Sequence, residues 1–355
     1  MKLLPLIGIL SINIFITLLP ARAQIFDLDT VHYDTTYIRA YRDELTTRLY
    51  VSRKQNGYNL SQALIQPWMK YRSNDNLVLG LGYTYSFLTV NLGVKMPFIN
   101  RDEQLYGKSR YLDLQTHSIF RRFILDLYLQ WAKGYYLSNP QSLKYSGLPE
   151  GSYPIRGDMR TTIVGLNVKY LFNSERYSFK AGFVQNQFQK RSAGSPILGV
   201  EGYWVLGMTD SSMVPELVPP SGFLDNQPFN QVDIANVGIN GGYAYTFVWR
   251  EKLYLSLSGV VGISGGYNQT HDSNSSTTYT SGLTVGFTTS TWISLGYNSN
   301  KYSVGMSFIQ LSMNNLVGSY GDWFTFNTGN IRLNFVRRFK LNKPIKILRP
   351  DLWIF

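Results

Sequence analysis

The alternation of apolar with small polar residues along this 355-residue chain predicts an all-β fold: a closed antiparallel transmembrane β-barrel of about 12 strands, within a range of roughly 10 to 14. Three observations carry that expectation. Charged residues make up only 16% of the sequence while aromatic residues reach 15%, with 26 Tyr and 31 Gly; ordinary soluble chains are about 25% charged. Many alternating runs reach the roughly 9 to 11 residues that a tilted strand needs to cross a bilayer. One side of these runs is Leu, Val, Tyr and Phe and the other is Gly, Ser, Thr and Asn, whereas the outward side of a soluble sheet is normally charged.

The chain begins with an export-like segment. Lys2 supplies a positive start, Leu3 to Leu19 is apolar but for Ser11, Asn13 and Thr17, and Ala21-Arg22-Ala23 offers a small-x-small cleavage site before Gln24. Residues 1–23 therefore read as a cleaved signal peptide, an uncleaved anchor being the competing reading. Losing Lys2 and Arg22 takes the formal charge from +12 to +10. Beyond this point no apolar run approaches the length of a spanning helix, so any membrane is entered by strands. Residues 24–59 are less regular: Asp27, Asp29, Asp34, Asp43 and Glu44 interleave with Arg39, Arg42, Arg48, Arg53 and Lys54. They read as an N-terminal periplasmic arm or a lumen plug, with Thr46 to Arg53 as an alternative further strand.

The barrel is expected over residues 60–339. Leu77, Leu79, Leu81, Tyr83, Tyr85 and Phe87 alternate with Val78, Gly80, Gly82, Thr84 and Ser86, and at Leu88 the phase changes, which requires a bulge or a very tight turn. The same period recurs at Phe123 to Trp131, Thr162 to Tyr170, Tyr177 to Phe188, Ile197 to Met208, Asp233 to Val248, Leu253 to Ser264, Gly282 to Tyr297, Tyr302 to Ser312 and Trp323 to Phe339. Weaker runs lie at Gln62 to Tyr71 and Tyr111 to Phe120. Tight polar connections are expected at 173–175, 250–252 and 298–300. Three strands between the first two of these would put both turns on opposite faces, so either 209–231 hides a strand or Gln189 to Ser195 is a bend. Residues 340–355, with Lys340, Lys343, Lys346 and Arg349, form a basic C-terminal tail read as snorkelling toward lipid phosphates.

Chemistry is sparse. With no Cys and only His32, His117 and His271, thiolate sites, disulfides and a transition-metal centre are not expected, and no cofactor is predicted. Nucleic-acid binding is not expected, because the basic residues form no domain-wide stripe; the basic balance suits outer-membrane lipids and lipopolysaccharide as partners, beside an envelope protein partner. By alternation Lys95, Asp113, Asp126, Lys169, Lys180, Glu201 and Arg332 face the lumen in near charge balance, which suits an internal ion-pair network better than a selective pore. His117 shares the polar face of its run with Asp113 and Gln115, but Asp113 is about 13 Å away at strand rise. Only a neighbouring strand could bring it an Asp or Ser partner.

Four stretches carry a resemblance to a known family: Gly80-Leu81-Gly82-Tyr83-Thr84-Tyr85-Ser86-Phe87-Leu88, Tyr111-Leu112-Asp113-Leu114-Gln115-Thr116, Gln130-Trp131-Ala132-Lys133-Gly134-Tyr135-Tyr136-Leu137 and Lys190-Arg191-Ser192-Ala193-Gly194-Ser195. Together they resemble a Bacteroidota envelope family described as domain of unknown function 4421. The resemblance implies a barrel of the Gram-negative outer membrane with no assigned activity, so it transfers no catalytic residue. Gln189, Lys190, Arg191 and Ser195, where the strand parity breaks, are a candidate lumen-facing or extracellular constriction. The sequence thus points to a non-enzymatic, porin-like pore or small-solute conduit, or a structural subunit of an envelope complex. The alternative is a barrel enzyme acting on lipid or lipopolysaccharide. A Ser or Asp within reach of His117 at an open mouth would favour the enzyme, an open lumen transport, and a filled lumen a structural role.

Overall fold

The computed structural model describes residues 33–341 apart from 42–43, 64–65, 86–87, 97–101, 144–148, 150, 216–226, 273–276 and 318–320. The expected signal peptide and nearly all of the expected basic tail lie outside the described residues. In chain order the elements are β1 Ile38–Ala40, β2 Glu44–Ala63, β3 Gln66–Arg72, β4 Leu77–Tyr85, β5 Leu88–Lys95, the single-turn helix α1 Glu103–Tyr106, β6 Arg110–Asp113, β7 Thr116–Ile119, β8 Phe123–Leu137 and β9 Ile155–Leu171. They continue with α2 Phe179–Phe183, β10 Gln187–Gln189, β11 Ala193–Met208, β12 Gln231–Trp249, β13 Leu253–Asp272, β14 Thr277–Asn298, β15 Tyr302–Val317 and β16 Asp322–Lys340.

Antiparallel ladders run from β2 through β3, β8, β9, β11, β12, β13, β14, β15 and β16 and return to β2, closing a ring of ten strands. Closure leaves no edge in that ring, which is the condition for a sheet to sit in hydrocarbon. The seam is long, from Trp323 opposite Ser61 to Lys340 opposite Glu44. Below β3 the wall forks. β4 takes over the edge of β2 from Arg53 downward and carries β5, while β6 and β7 continue the edge of β8. Tyr85 pairs with Leu88, so the phase change there marks a hairpin.

Alternation sorts the two faces. Outward positions such as Leu49, Leu198, Val237, Ile263, Leu295, Met306 and Leu333 are exposed, and Leu283 is 93% exposed, an apolar belt of the kind that outer-membrane barrels present. Both described chain ends and the turns at Arg250–Lys252 and Ser299–Lys301 lie at one end, called the lower end.

Two expected boundaries change. The border at residue 60 falls inside β2: residues 44–59 are barrel wall, not arm or plug. Its Arg48 and Lys54 point inward beside Tyr50, Ser52 and Asn56, and these interior charges masked the alternation. The run Tyr177 to Phe188 is not a crossing strand. It folds as α2 and β10, and β10 pairs with β1 rather than with the wall. Two strands, β11 and β12, therefore separate the lower-end turns, and the parity conflict disappears.

Candidate functional site

The lumen is filled in three tiers. The upper tier is aromatic: the Tyr58 ring lies 5.1 Å from Tyr71, 5.2 Å from Tyr135 and 5.4 Å from Phe324, all fully buried. Met213 and Phe229, from the connection between β11 and β12, pack into the same cluster, and Tyr71 donates to the Met213 carbonyl at 2.6 Å. Burying these hydroxyls is tolerable because each has a partner; Tyr135 shares a hydrogen bond with Thr161 at 2.5 Å.

The middle tier is polar and paired. Asp126, wholly buried on β8, meets Lys169 of β9 at 2.5 Å and His117 Nδ1 of β7 at 2.6 Å. Adjacent strands deliver both partners: His117 is opposite Asp126 on one side and Asn167 is opposite it on the other. The other ring nitrogen of His117 contacts the Gln115 amide nitrogen at 3.1 Å, and the ring stands edge-on to Trp292 with centroids 4.8 Å apart. Asp113 pairs with Lys54 of β2 and accepts from Gln130 at 3.1 Å. Glu201 accepts from Asn167 at 3.0 Å, from Asn240 at 2.8 Å and from the Thr288 hydroxyl. Charges buried in this way persist only when paired and hydrogen-bonded.

The lower tier is a plug. Residues between β9 and β11 turn into the mouth, where Tyr177, Phe179 and Phe183 pack with Ile124, Leu171, Ile197, Val260 and Trp292. Ser178 caps α2 by accepting from the Ala181 amide at 3.1 Å. Two wall arginines hold the carbonyls at the other end of the helix: Arg48 donates to Val184 and Arg338 donates to Gln185 at 2.5 Å. Gln185 itself has φ 60° and donates from its side chain to Tyr254 at 2.8 Å. A Cβ on Gly182 would lie 2.4 Å from the Ser256 hydroxyl, so only glycine lets the helix approach the wall this closely.

Most sequence-predicted lumen residues do point inward. Asp113, His117, Asp126, Lys169 and Glu201 belong to the middle tier; Lys95 sits over the Tyr111 ring at 3.8 Å and Arg332 over Tyr50 at 4.5 Å. Lys180 differs: it lies on α2 in the plug, because its segment is not a strand. The candidate constriction is also relocated, to the lower mouth. Gln189 is buried in β10 and donates to the carbonyls of Arg176 at 2.7 Å and Arg191 at 3.0 Å. Lys190 reaches the Thr35 carbonyl at 2.7 Å, and Ser195 is a buried wall residue that receives the Asn173 amide at 2.9 Å. These groups brace a closure and do not ring an opening. Lys54, Arg48 and Arg338 escaped the sequence reading; Lys54 could have been found from its place between Ser52 and Asn56.

Among the described residues no group of His, Asp and Glu is arranged to hold a metal. The hydrogen bonds of His117 go to Asp126 and Gln115, with no hydroxyl among them. Asp126 is shared with Lys169, so the dyad is locked in a network.

A family model described as domain of unknown function 4421 matches residues 32–339. The chain belongs to that family. No curated protein matches it. Among solved structures this family member is similar to the outer membrane protease OmpT from Escherichia coli, at 8% identity over 85% of this chain and 98% of that one, TM-score 0.34. It is also similar to OmpT of Vibrio cholerae, at 9% identity over 85% and 100% of the two chains, TM-score 0.27. A third similarity is to the toluene transporter TodX from Pseudomonas putida, at 7% identity over 84% and 90%, TM-score 0.24.

Proposed function

We propose that this member of the family is an outer-membrane barrel sealed by its own residues, acting as a structural subunit of an envelope complex rather than as an open conduit. The observation that carries the reading is the closure of the lumen at both ends, by the Tyr58 cluster above and the Phe179–Phe183 plug below. A conduit needs a continuous polar path, and here the polar groups of the middle tier are spent on one another. The outer-membrane location rests on the closed ring and its exposed apolar belt. We take the lower end as periplasmic because the tight turns at Arg250–Lys252 and Ser299–Lys301 lie there while the long connections after β8 and β11 lie above; the long lower connection, between β9 and β11, is folded into the mouth.

Single-channel recording of the purified, folded barrel in a planar bilayer tests this. Silence is expected, because two seals stand in series. Stable ohmic steps from the wild-type chain would overturn the sealed-scaffold reading. The enzymatic alternative draws on the 2.6 Å His117–Asp126 contact; it would replace the proposal if the barrel turned over lipid or lipopolysaccharide and His117→Ala abolished that turnover.

A further inference from the structure

Lysine and arginine are unevenly placed around the wall. β11 to β15 contain none, whereas β2, β3, β6, β8 and β9 set Arg53, Lys70, Arg72, Arg110, Lys133 and Arg160 on the outward face. These six are neighbours in the sheet. Arg72 is opposite Gly57 on one side and Tyr136 on the other, Lys70 is opposite Asn59, and Lys133 lies between Arg110 and Arg160. Immediately below them the outward positions turn apolar, with Leu79, Leu112, Trp131 and Leu333 exposed. The cations therefore mark the upper margin of the lipid-facing band along one sector only.

Arg160 pairs with Asp210 at 3.6 Å. Among the described residues the other five have no carboxylate partner. Three of them, Arg53, Lys70 and Arg72, open onto a groove of about 530 Å³ whose lining includes Gln55, Tyr136 and Asn327 beside them and, on its inner side, the buried Lys54, Asn56 and Asp75. A row of unpaired cations would repel itself unless an anion lies between them, and guanidinium groups bind phosphate oxygens in pairs. Below Arg53 on the same outward face, the exposed Leu79 and Leu333 flank Val51 and the exposed Leu81 follows one step lower, so an occupant that spans both regions carries an anionic head and apolar chains.

Resting on the outer-membrane orientation proposed above, we infer that this sector binds the phosphorylated glycolipid of the outer leaflet, lipid A. A phosphate sits among Arg53, Lys70 and Arg72, and acyl chains lie along Leu79, Leu81 and Leu333. Arg110 and Lys133 extend the cationic margin toward a neighbouring headgroup. Soluble phosphate lacks the apolar half of this match, and a phospholipid lacks the sugar-borne geometry that the Gln55 and Asn327 amides would meet.

The test is retention measured by native mass spectrometry of the full folded barrel in detergent. The probes are phosphorylated lipid A, its dephosphorylated form, phosphatidylglycerol and inorganic phosphate. Phosphorylated lipid A is expected to be retained preferentially, and Arg53→Gln/Lys70→Gln/Arg72→Gln to weaken retention about a hundredfold. A control triple at the opposite rim, Arg250→Gln/Lys252→Gln/Lys301→Gln, is expected to retain it unchanged. Equal retention of phosphatidylglycerol or of the dephosphorylated form, competition by inorganic phosphate at equal concentration, or an unaffected groove variant would each overturn the inference. Heat-modifiable mobility confirms that each variant is folded. Should cysteine labelling place this rim in the periplasm, the orientation fails on its own while the retention measurement still stands.

Discussion

Replacing Asp126 by Ala would remove the carboxylate that holds two strands' worth of interior polarity. Its side chain has no solvent exposure and that of Lys169 only 3%, so the variant leaves an ammonium group buried beside Trp292 with its 2.5 Å partner gone. Breaking a buried ion pair from one side costs about 3 to 5 kcal/mol, and the lost His117 contact adds about 1 kcal/mol. Urea unfolding of the barrel in lipid vesicles, followed by tryptophan fluorescence and by heat-modifiable mobility, should show Asp126→Ala destabilised by about 4 to 6 kcal/mol. Removing both charges together, as Asp126→Leu/Lys169→Met, should recover most of that loss, because no uncompensated charge then remains. The exposed Arg160–Asp210 pair supplies the contrast: its side chains are 42% and 69% exposed, and Arg160→Ala should cost no more than about 1 kcal/mol. If Asp126→Ala fell within that same 1 kcal/mol margin of the wild type, the middle tier would be hydrated and the sealed-lumen argument would fail.

Two smaller tests address the backbone and the orientation. Gly134 has φ 89° at the bulge where β8 shifts register, and a Cβ there would lie 2.3 Å from the Lys108 carbonyl oxygen. Gly134→Ala should therefore cost about 1 to 3 kcal/mol in the same unfolding assay; an unchanged midpoint would mean that the bulge is not needed. Because the chain has no Cys, single cysteines report topology cleanly. A membrane-impermeant maleimide applied to intact cells should label Thr278→Cys and leave Lys301→Cys unlabelled until the cells are lysed. The reverse pattern would invert the barrel.

The candidate site was legible to the extent that it followed alternation. Asp113, Asp126, Lys169 and Glu201 face inward because each alternates with the exposed apolar residues of its strand, such as Leu112, Leu129, Leu166 and Val200, and parity along a strand is a local property. Partnership was less legible. Lys54 and Asp113 are far apart in the chain, and only closure of the ring brings β2 and β6 to the same interior level. For His117 the partner came from β8, across a ladder whose register no single strand reveals.

Length, a low share of charge and the dyad period were enough to determine an all-β chain whose strands carry one exposed apolar face, because solvation acts on each strand face separately. Tyr177, Phe179, Ala181 and Phe183 show where that rule stops. Their alternation is as regular as that of the wall, yet they fill a mouth, since an apolar side chain gains as much from a neighbour's interior as from lipid. The tertiary structure alone decided which of those two surroundings they meet. It also decided that β2 closes the ring, that Arg48 and Arg338 face a plug carbonyl instead of water, and that the outward cations gather on one sector. Each of these depends on what lies across the barrel, over separations that the local periodicity of a sequence does not encode.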